Sequence, residues 1–537
     1  MNRFTRREFL LTPASAAAIP LLGAAAAKTR VGLVNSSYPK LPRPLSPEDP
    51  LNYDSVRDMV WQAIDLGRPR SGSLEAKIRP GAWVVVKPNM VFLRPQPLYR
   101  TGDITDMRVT RAVVEYVARN SHAARITIAE GGSYRGVRDP AEDNSVQQND
   151  VRVDGATFDW GDREFPGVGG SLAGMLRDFS KAFPNKKFDY VDLNYDVVRD
   201  ASGSPLRIQV PRTKSGVGAF GARPDYFVTR TILSCNFLIN VPVMKVHRQC
   251  GITACFKNYV GTAPRQMYGA PGVFANVELH AQHSIEDRID SFIADLAAFH
   301  PPDFNVVDGI RGLQYDTHST GQPDQMLRNN LVLAGEDPVA TDTVVAQLLG
   351  FNPWDIEFLH MTAKRGIGTR DPKQIDVIGA DLDRLCRRWV KPQPWWGRCN
   401  RDWLISNDAG APIQTWTRHT APTDTLNLSS WIGKGSRKTA AAAVRVFAEG
   451  HRKAFLWLGL RGRVTTFLNG QKIAEDENLT RYRVGQFRTP VELWPGENLL
   501  LFRVHASSGQ GLLSALLVGP RNDGDTVEGI RWSTSGK

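Results

Sequence analysis

From Val31 to about Leu385, short β-branched and aliphatic runs alternate with stretches of helical period, and this alternation constrains the fold more than any other feature. TRVGLVN and AWVVVKPN are strand candidates. TDMRVTRAVVEYVARN puts Val109, Ala112, Val113, Tyr116 and Val117 on one helix face behind a Thr105 or Asp106 cap, and ARITIAEGG is a strand ending in a glycine turn. Strand, helix, strand at this spacing predicts parallel pairing, hence an α/β fold with a mostly parallel layered sheet. Order thins between about Ser133 and Ala222, which reads as an insertion with short elements and one strand at FDYVDLN. It returns with a buried strand over TRTILSCNFLINVPVMK, a helix near SIEDRIDSFIADLAAF, strands at FNVVDGI and NLVLAGED, and a helix at PVATDTVVAQLLG. The α/β region, residues 28–390, ends after IDVIGADLD.

The period then changes. Residues 391–425, rich in Trp and Pro, read as a docked linker. Across 426–520, VRVFAEG, KAFLWLGLRGRVTTFLNGQKIAE, TPVELWPGENLLLFRVHA and LSALLVG alternate in the two-residue period and break at Asn-Gly and Pro-Gly-Glu-Asn turns. That pattern predicts an all-β, jelly-roll-like sandwich.

The chain opens MNRFTRREFLLTPASAAAIPLLGAAAAKTR. Adjacent Arg6 and Arg7, a short apolar core and small residues before Lys28 predict a twin-arginine export signal over residues 1–27, removed on export. Pro13 and Pro20 interrupt the apolar core, which falls short of the roughly 20 residues a membrane span needs. A periplasmic or extracellular location is expected, with the twin-arginine export machinery as a partner and no integral membrane segment after cleavage. The formal charge of +12 favours anionic partners. With no dense Lys/Arg run, no nucleic-acid module and export expected, nucleic acid is not among them. Five cysteines leave Cys250–Cys255 and Cys386–Cys399 bridges, or free buried thiols, all open.

In open α/β sheets ligands bind outside the carboxyl ends of the strands. Polar groups gather at five such points here: Lys87 and Asn89 after VVV, Glu130 with Gly131 and Gly132 after ITIA, Asn240, Lys245 and His247 around LINVPVMKVH, Asp308 in VVDGI, and Glu336, Asp337 and Asp342 around VLAGEDPVATD. A single one of them would read as a cap or turn; together they predict one cleft lined by lysines, a histidine and carboxylates. Lys87, Lys245 and His247 are the candidate catalytic groups, because crowded lysines lose basicity and His titrates near neutrality. Asn89, Glu130, Lys257 and Asn258 are the candidate substrate-binding groups. Asp308, Asp337 and Asp342 are candidate ligands of a hard divalent cation.

Within HRQCGITACFKN three readings compete. His247, Cys250 and Cys255 could hold a metal with His280 or His283, although H-x₂-C-x₄-C is not a standard zinc spacing. Lys245, Lys257 and Asn258, with the Gly251 backbone, could hold a carboxylate or phosphate. Alternatively the stretch is a glycine-rich crossover whose cysteines fill core positions. G-x-S-x-G, H-E-x-x-H, a Walker loop and G-x-G-x-x-G after a strand are all missing from the sequence, and GVGG at Gly167–Gly170 has no strand before it. Common hydrolase, zinc-protease, nucleotide and dinucleotide classes are thereby disfavoured.

KPNMV, TDMRVTRAVVEYV, EGG, NVPVMKVH, GITACFKNYVG, VVDGI and AGEDPVATDTVVAQLLG, in that order, resemble the domain of unknown function 362 family over about Val31 to Ala380, the insertion apart. The resemblance implies an α/β fold and supplies no established reaction. It favours the anion reading of the central stretch, since the lysines and asparagine belong to the family motif and Cys250 and Cys255 do not. Some relatives carry iron–sulfur clusters on an added segment; without a C-x₂-C-x₂-C run here, that cofactor is not expected. VTTFLNGQKIAE followed by WPGENLLLFRV resembles the galactose-binding-like jelly rolls that accompany sugar-active enzymes. Two functions stand: an enzyme or ligand-binding protein acting on an anionic small molecule, with a divalent metal left open, or a non-catalytic cell-envelope protein whose sandwich engages polysaccharide or a protein partner.

Overall fold

The computed structural model describes residues 28–90, 102–131, 165–268, 289–316, 322–392, 397–432, 438–506, 510–522 and 524–535. The expected export signal, His280 and His283 lie outside these residues. Among the described residues, no helix is long and apolar enough to cross a membrane.

Eight strands form the first sheet: β1 (Thr29–Asn35), β2 (Trp83–Pro88), β3 (Arg125–Glu130), β4 (Lys187–Asp192), β5 (Phe237–Val241), β6 (Phe304–Leu313), β7 (Met326–Gly335) and β8 (Ile375–Gly379). Their order is β8-β1-β7-β6-β5-β2-β3-β4. Only β7 runs against its neighbours, β1 and β6. No helix separates β6 from β7 among the described residues, so they pair as antiparallel neighbours do, whereas the parallel strands are joined by crossovers. Helices α1 (Tyr53–Leu66), α2 (Met107–Asn120) and α3 (Leu172–Ala182) contribute to the apolar cluster on one face. The other face is covered by α4 (Asp290–Phe299), α5 (Pro338–Leu349) and α6 (Glu357–Lys364). Both faces of the sheet are therefore dry, which is why its central strands are continuous apolar runs.

Local signals place these elements. Asp106 caps α2 by accepting from the Arg108 N–H, and Asp337 caps α5, which ends at Gly350 with φ +81°. Two expectations change. The strand read over TRTILSCNFLINVPVMK begins only at Phe237, and Arg230–Ser234 is a short helix. The irregular insertion contains α3, whose Leu172, Met175 and Phe179 face the core, so α3 and β4 continue the layered pattern from β3.

The carboxyl-terminal part is an antiparallel sheet of nine strands. It already includes Asp402–Ser406 and Thr417–Thr420, so the stretch expected as a linker supplies two strands, and it extends past residue 520 to Ile530–Ser533. The sheet curls at one glycine. In the long strand Arg452–Leu468, Phe455–Arg461 pairs with Leu512–Val518, and Arg463–Leu468 pairs with Leu500–His505. Gly462 lies at the change of partner with φ +120°, where a Cβ would stand 2.7 Å from the His505 carbonyl oxygen. The Asn469–Gly470 turn has both residues at positive φ, as a tight hairpin requires.

The two parts are stitched together. Trp354 and Trp457 meet edge to face with centroids 4.2 Å apart, Arg401 pairs with buried Asp355 at 3.2 Å, and buried Asp424 accepts the Asn352 N–H at 2.7 Å while pairing with Lys391. All five cysteines are free thiols, so neither bridge forms.

Candidate functional site

After β3 and β4 extend the sheet on one side of β2, β5 returns to the other side. The order reverses between β2 and β5, the point at which an open α/β sheet leaves a crevice at its strand ends. Lys87 on β2, Asn240 on β5, Asn305 on β6 and Gly335 on β7 lie in one row across the sheet there. Three of these side chains are polar in a row whose neighbours are apolar, and a short helical segment, Lys257–Thr262, packs over them.

Lys87 is 1% exposed. Its Nζ donates to both carboxylate oxygens of Glu130 at 3.0 Å and to Asn258 Oδ1 at 3.1 Å. Glu130 also accepts the backbone N–H groups of Met90 and Gly131. The Asn258 amide donates back to the Lys87 carbonyl and to Asn240 Oδ1, and Asn240 donates to the Cys255 carbonyl. Burial lowers the Lys87 pKa, and the Glu130 charge opposes that shift. Glycines allow this packing. A Cβ on Gly261 would overlap Glu130 Oε1 and stand 2.8 Å from Lys87 Nζ, and Gly131 donates its N–H to the Gly261 carbonyl. No local sequence pattern signals Gly261; the close approach of its backbone to a buried ion pair accounts for it.

The hairpin Lys245–His247/Gly251–Thr253 supplies the second cation. Lys245 is buried, and its Nζ donates to the side chain and carbonyl of Asp103 at 2.7 and 2.8 Å. His247, two residues on and therefore on the same hairpin face, is buried, and its Nδ1 accepts the Gln249 N–H. Asp103 was not singled out in the sequence because nothing periodic surrounds it.

Lys257 differs from both. It is half-buried, and its ammonium has no hydrogen-bond or ion-pair partner among the described residues. Burial, with Lys245 and Lys87 repelling its charge, lowers its pKa to about 8, while Cys250 and Glu130 act the other way. Among the described residues the cluster thus holds three ammonium groups against two carboxylates, and the uncommitted charge is on Lys257.

The three aspartates expected as metal ligands are used otherwise. Asp308 accepts the N–H groups of Asp106 and Ile310, Asp337 accepts those of Ala340 and Thr369, and Asp342 accepts those of Cys255 and Phe256. Burial raises all three pKa values, Asp308 and Asp342 to about 7. No group of three His, Cys, Asp or Glu side chains among the described residues is arranged to hold a metal, including the set around His247, Cys250 and Cys255. Asn89 is buried at the end of β2, where its N–H donates to Thr105 Oγ1 and its carbonyl accepts the Thr105 N–H. The structure therefore joins Lys87, Glu130 and Asn258 through hydrogen bonds, sets Lys257 and Lys245 within electrostatic reach of them, and distributes the aspartates among backbone-holding positions.

A model of the family described as a domain of unknown function (DUF362) matches residues 177–347. That span holds Lys245, His247, Lys257, Asn258 and the three aspartates; Lys87, Asn89 and Glu130 precede it. A thylakoid-associated protein of Synechocystis sp. is 20% identical over 190 residues, 35% of this chain and 56% of the relative, so the chain spans about half the length of the curated relative it matches. Among solved structures, the lactate racemase apoprotein from Thermoanaerobacterium thermosaccharolyticum is similar at 12% identity and TM-score 0.26 over 52% of each chain. A family 35 carbohydrate-binding module from an environmental isolate is similar at 16% identity and TM-score 0.14, over 18% of this chain and 70% of that one. At these TM-scores neither likeness bears on function.

Proposed function

We propose that this protein binds a small organic anion at the carboxyl ends of β2, β3 and β5, and that Lys257 is the group that meets it. The observation that carries this reading is the Lys257 ammonium, unpaired among the described residues, near two lysines already held by carboxylates. An anion arriving there supplies the missing countercharge without displacing an existing pair, and partial desolvation strengthens the contact. A lysine near pKa 8 is also an accessible base or nucleophile at neutral pH, so proton transfer or imine chemistry on the bound anion is within its reach. Lys87, Lys245 and Asn258 then act as positioning residues, and export would bring the site to substrates outside the cytoplasm.

Calorimetric titration with acetate, succinate, citrate and inorganic phosphate tests the reading. At least one is expected to bind, with affinity falling as pH rises through about 8 and Lys257 loses its proton. Lys257→Met should weaken binding by about tenfold or more, as expected for loss of a charge-assisted contact. No binding by any of the four, or binding that ignores both pH and Lys257→Met, would count against the assignment.

A further inference from the structure

A second cleft, of about 610 Å³, lies between the two parts of the molecule, away from the lysine cluster. The α/β part contributes the end of α5 and the segments around β8, and the sandwich contributes Arg461, Tyr482, Gln486 and Arg488. Two irregularities in the sandwich build this wall. Arg461 immediately precedes Gly462, the corner of the curled sheet. On the neighbouring strand Gln471–Leu493 the register slips twice, from Leu458–Phe487 to Leu460–Arg483 and on to Gly462–Asn478, so extra residues bulge out and carry Tyr482 and Gln486 into the cleft. Bulges of this kind re-aim side chains beside binding sites.

The polar groups of this wall are incompletely paired. Arg461 Nε is buried without a hydrogen-bond partner, and no ion pair engages its guanidinium among the described residues. Gln486 Oε1 is likewise buried and unpaired among the described residues. Arg488 pairs with Asp371 at 3.4 Å and stacks on Trp457 at 4.2 Å, yet its Nε is unpaired too. Among the described residues five cationic side chains line the cleft against three carboxylates, exposed Arg387 and Arg388 among the five. Buried donors and acceptors left open cost stability unless a ligand completes them. Here the donors are guanidinium N–H groups, which want a carboxylate, and the open acceptor is an amide oxygen, which wants a hydroxyl. A simple carboxylate answers only the first need and inorganic phosphate, which carries a hydroxyl, is too small to span both groups; a hydroxylated carboxylate answers both, and the volume suits a ligand of disaccharide size.

We infer that the interdomain cleft is a binding site for a hydroxylated organic carboxylate of disaccharide size, anchored on Arg461 and Gln486. Cys386 provides a reporter on the unmodified protein, since it lines the cleft partly exposed while the other four thiols are buried. The experiment measures alkylation of Cys386 by iodoacetamide, and calorimetric binding, with digalacturonate, a neutral disaccharide and inorganic phosphate as probes. Digalacturonate is expected to bind and to slow alkylation, the neutral sugar and phosphate to do neither at the same concentration. Arg461→Gln should weaken digalacturonate by about tenfold or more, in line with loss of a charge-assisted pair. Gln486→Leu serves the same purpose should Arg461→Gln fail to fold. The inference is overturned if digalacturonate neither binds nor protects, if phosphate or the neutral sugar protects equally, or if binding survives the cleft variant and is lost in Lys257→Met.

Discussion

Three lysines within one cluster have separate fates, and substitution should separate them. Lys87 is 1% exposed and paired, so Lys87→Met strands the buried Glu130 carboxylate, at a cost of about 3–5 kcal/mol. Lys257 has no partner among the described residues and is repelled by two neighbours, so Lys257→Met should leave stability within about 0.5 kcal/mol of the parent or raise it. Gly261→Ala should cost about 1–3 kcal/mol, because the added methyl overlaps Glu130. Urea unfolding of the three variants checks all of this; equal losses for Lys87→Met and Lys257→Met would contradict the division. The division was half legible in the sequence. Lys87, Lys245 and Lys257 stood out at strand ends and in a family motif, but their pairing depends on Asp103 and Glu130, which reach them only through the fold.

At the scale of elements, the carboxyl groups of Asp308 and Asp342 fasten the segments around the site. Asp308 holds the start of α2, and Asp342, from within α5, holds the backbone that enters the segment Lys257–Thr262. Their folded pKa values, about 7, lie above the unfolded value of an aspartate, so the folded state retains the extra protons between about pH 4 and 7. Their contribution is fully present below about pH 4 and is lost as pH rises through about 7. Asp342→Asn, which cannot ionise, should flatten the decline of the urea midpoint between about pH 4 and 7; an unchanged slope would contradict the linkage. In the sequence these residues looked like metal ligands, because acidic side chains at strand and helix ends suit either task and only the nearby N–H groups distinguish them. Periodicity did carry the elements themselves: α2, α5 and the central strands follow from their apolar spacing and caps. The antiparallel direction of β7 and the helix α3 were not legible, the one because direction leaves no local pattern, the other because its three core residues sit in a glycine-rich stretch.

For the whole molecule, the sandwich is a structural partner of the α/β part as well as one wall of a cleft. Trp354 and Trp457 close the junction, and Asp355 and Asp424 each hold backbone N–H groups and a cation within it. Trp457→Ala should cost about 3–5 kcal/mol and lower the unfolding temperature of both parts together. Calorimetry checks this, since loss of only one transition would show that the parts fold independently. The sequence marked the change from α/β to all-β, but it placed the boundary late. Asp402–Ser406 and Thr417–Thr420 lie among Trp and Pro residues that mask a two-residue period. The bulge that brings Tyr482 and Gln486 to the cleft was hidden as well, because a register slip belongs to a strand pair.

The central claim is that Lys257 is an uncommitted ammonium with lowered basicity, and its titration tests this most directly. NMR of ε-amine signals, with the Lys257 resonance assigned by its loss in Lys257→Met, should show a midpoint near pH 8 that moves upward when an anion binds. A midpoint at the ordinary lysine value, unmoved by any of the four anions, would mean that Lys257 is a solvated surface group and that the proposed anion site is wrong.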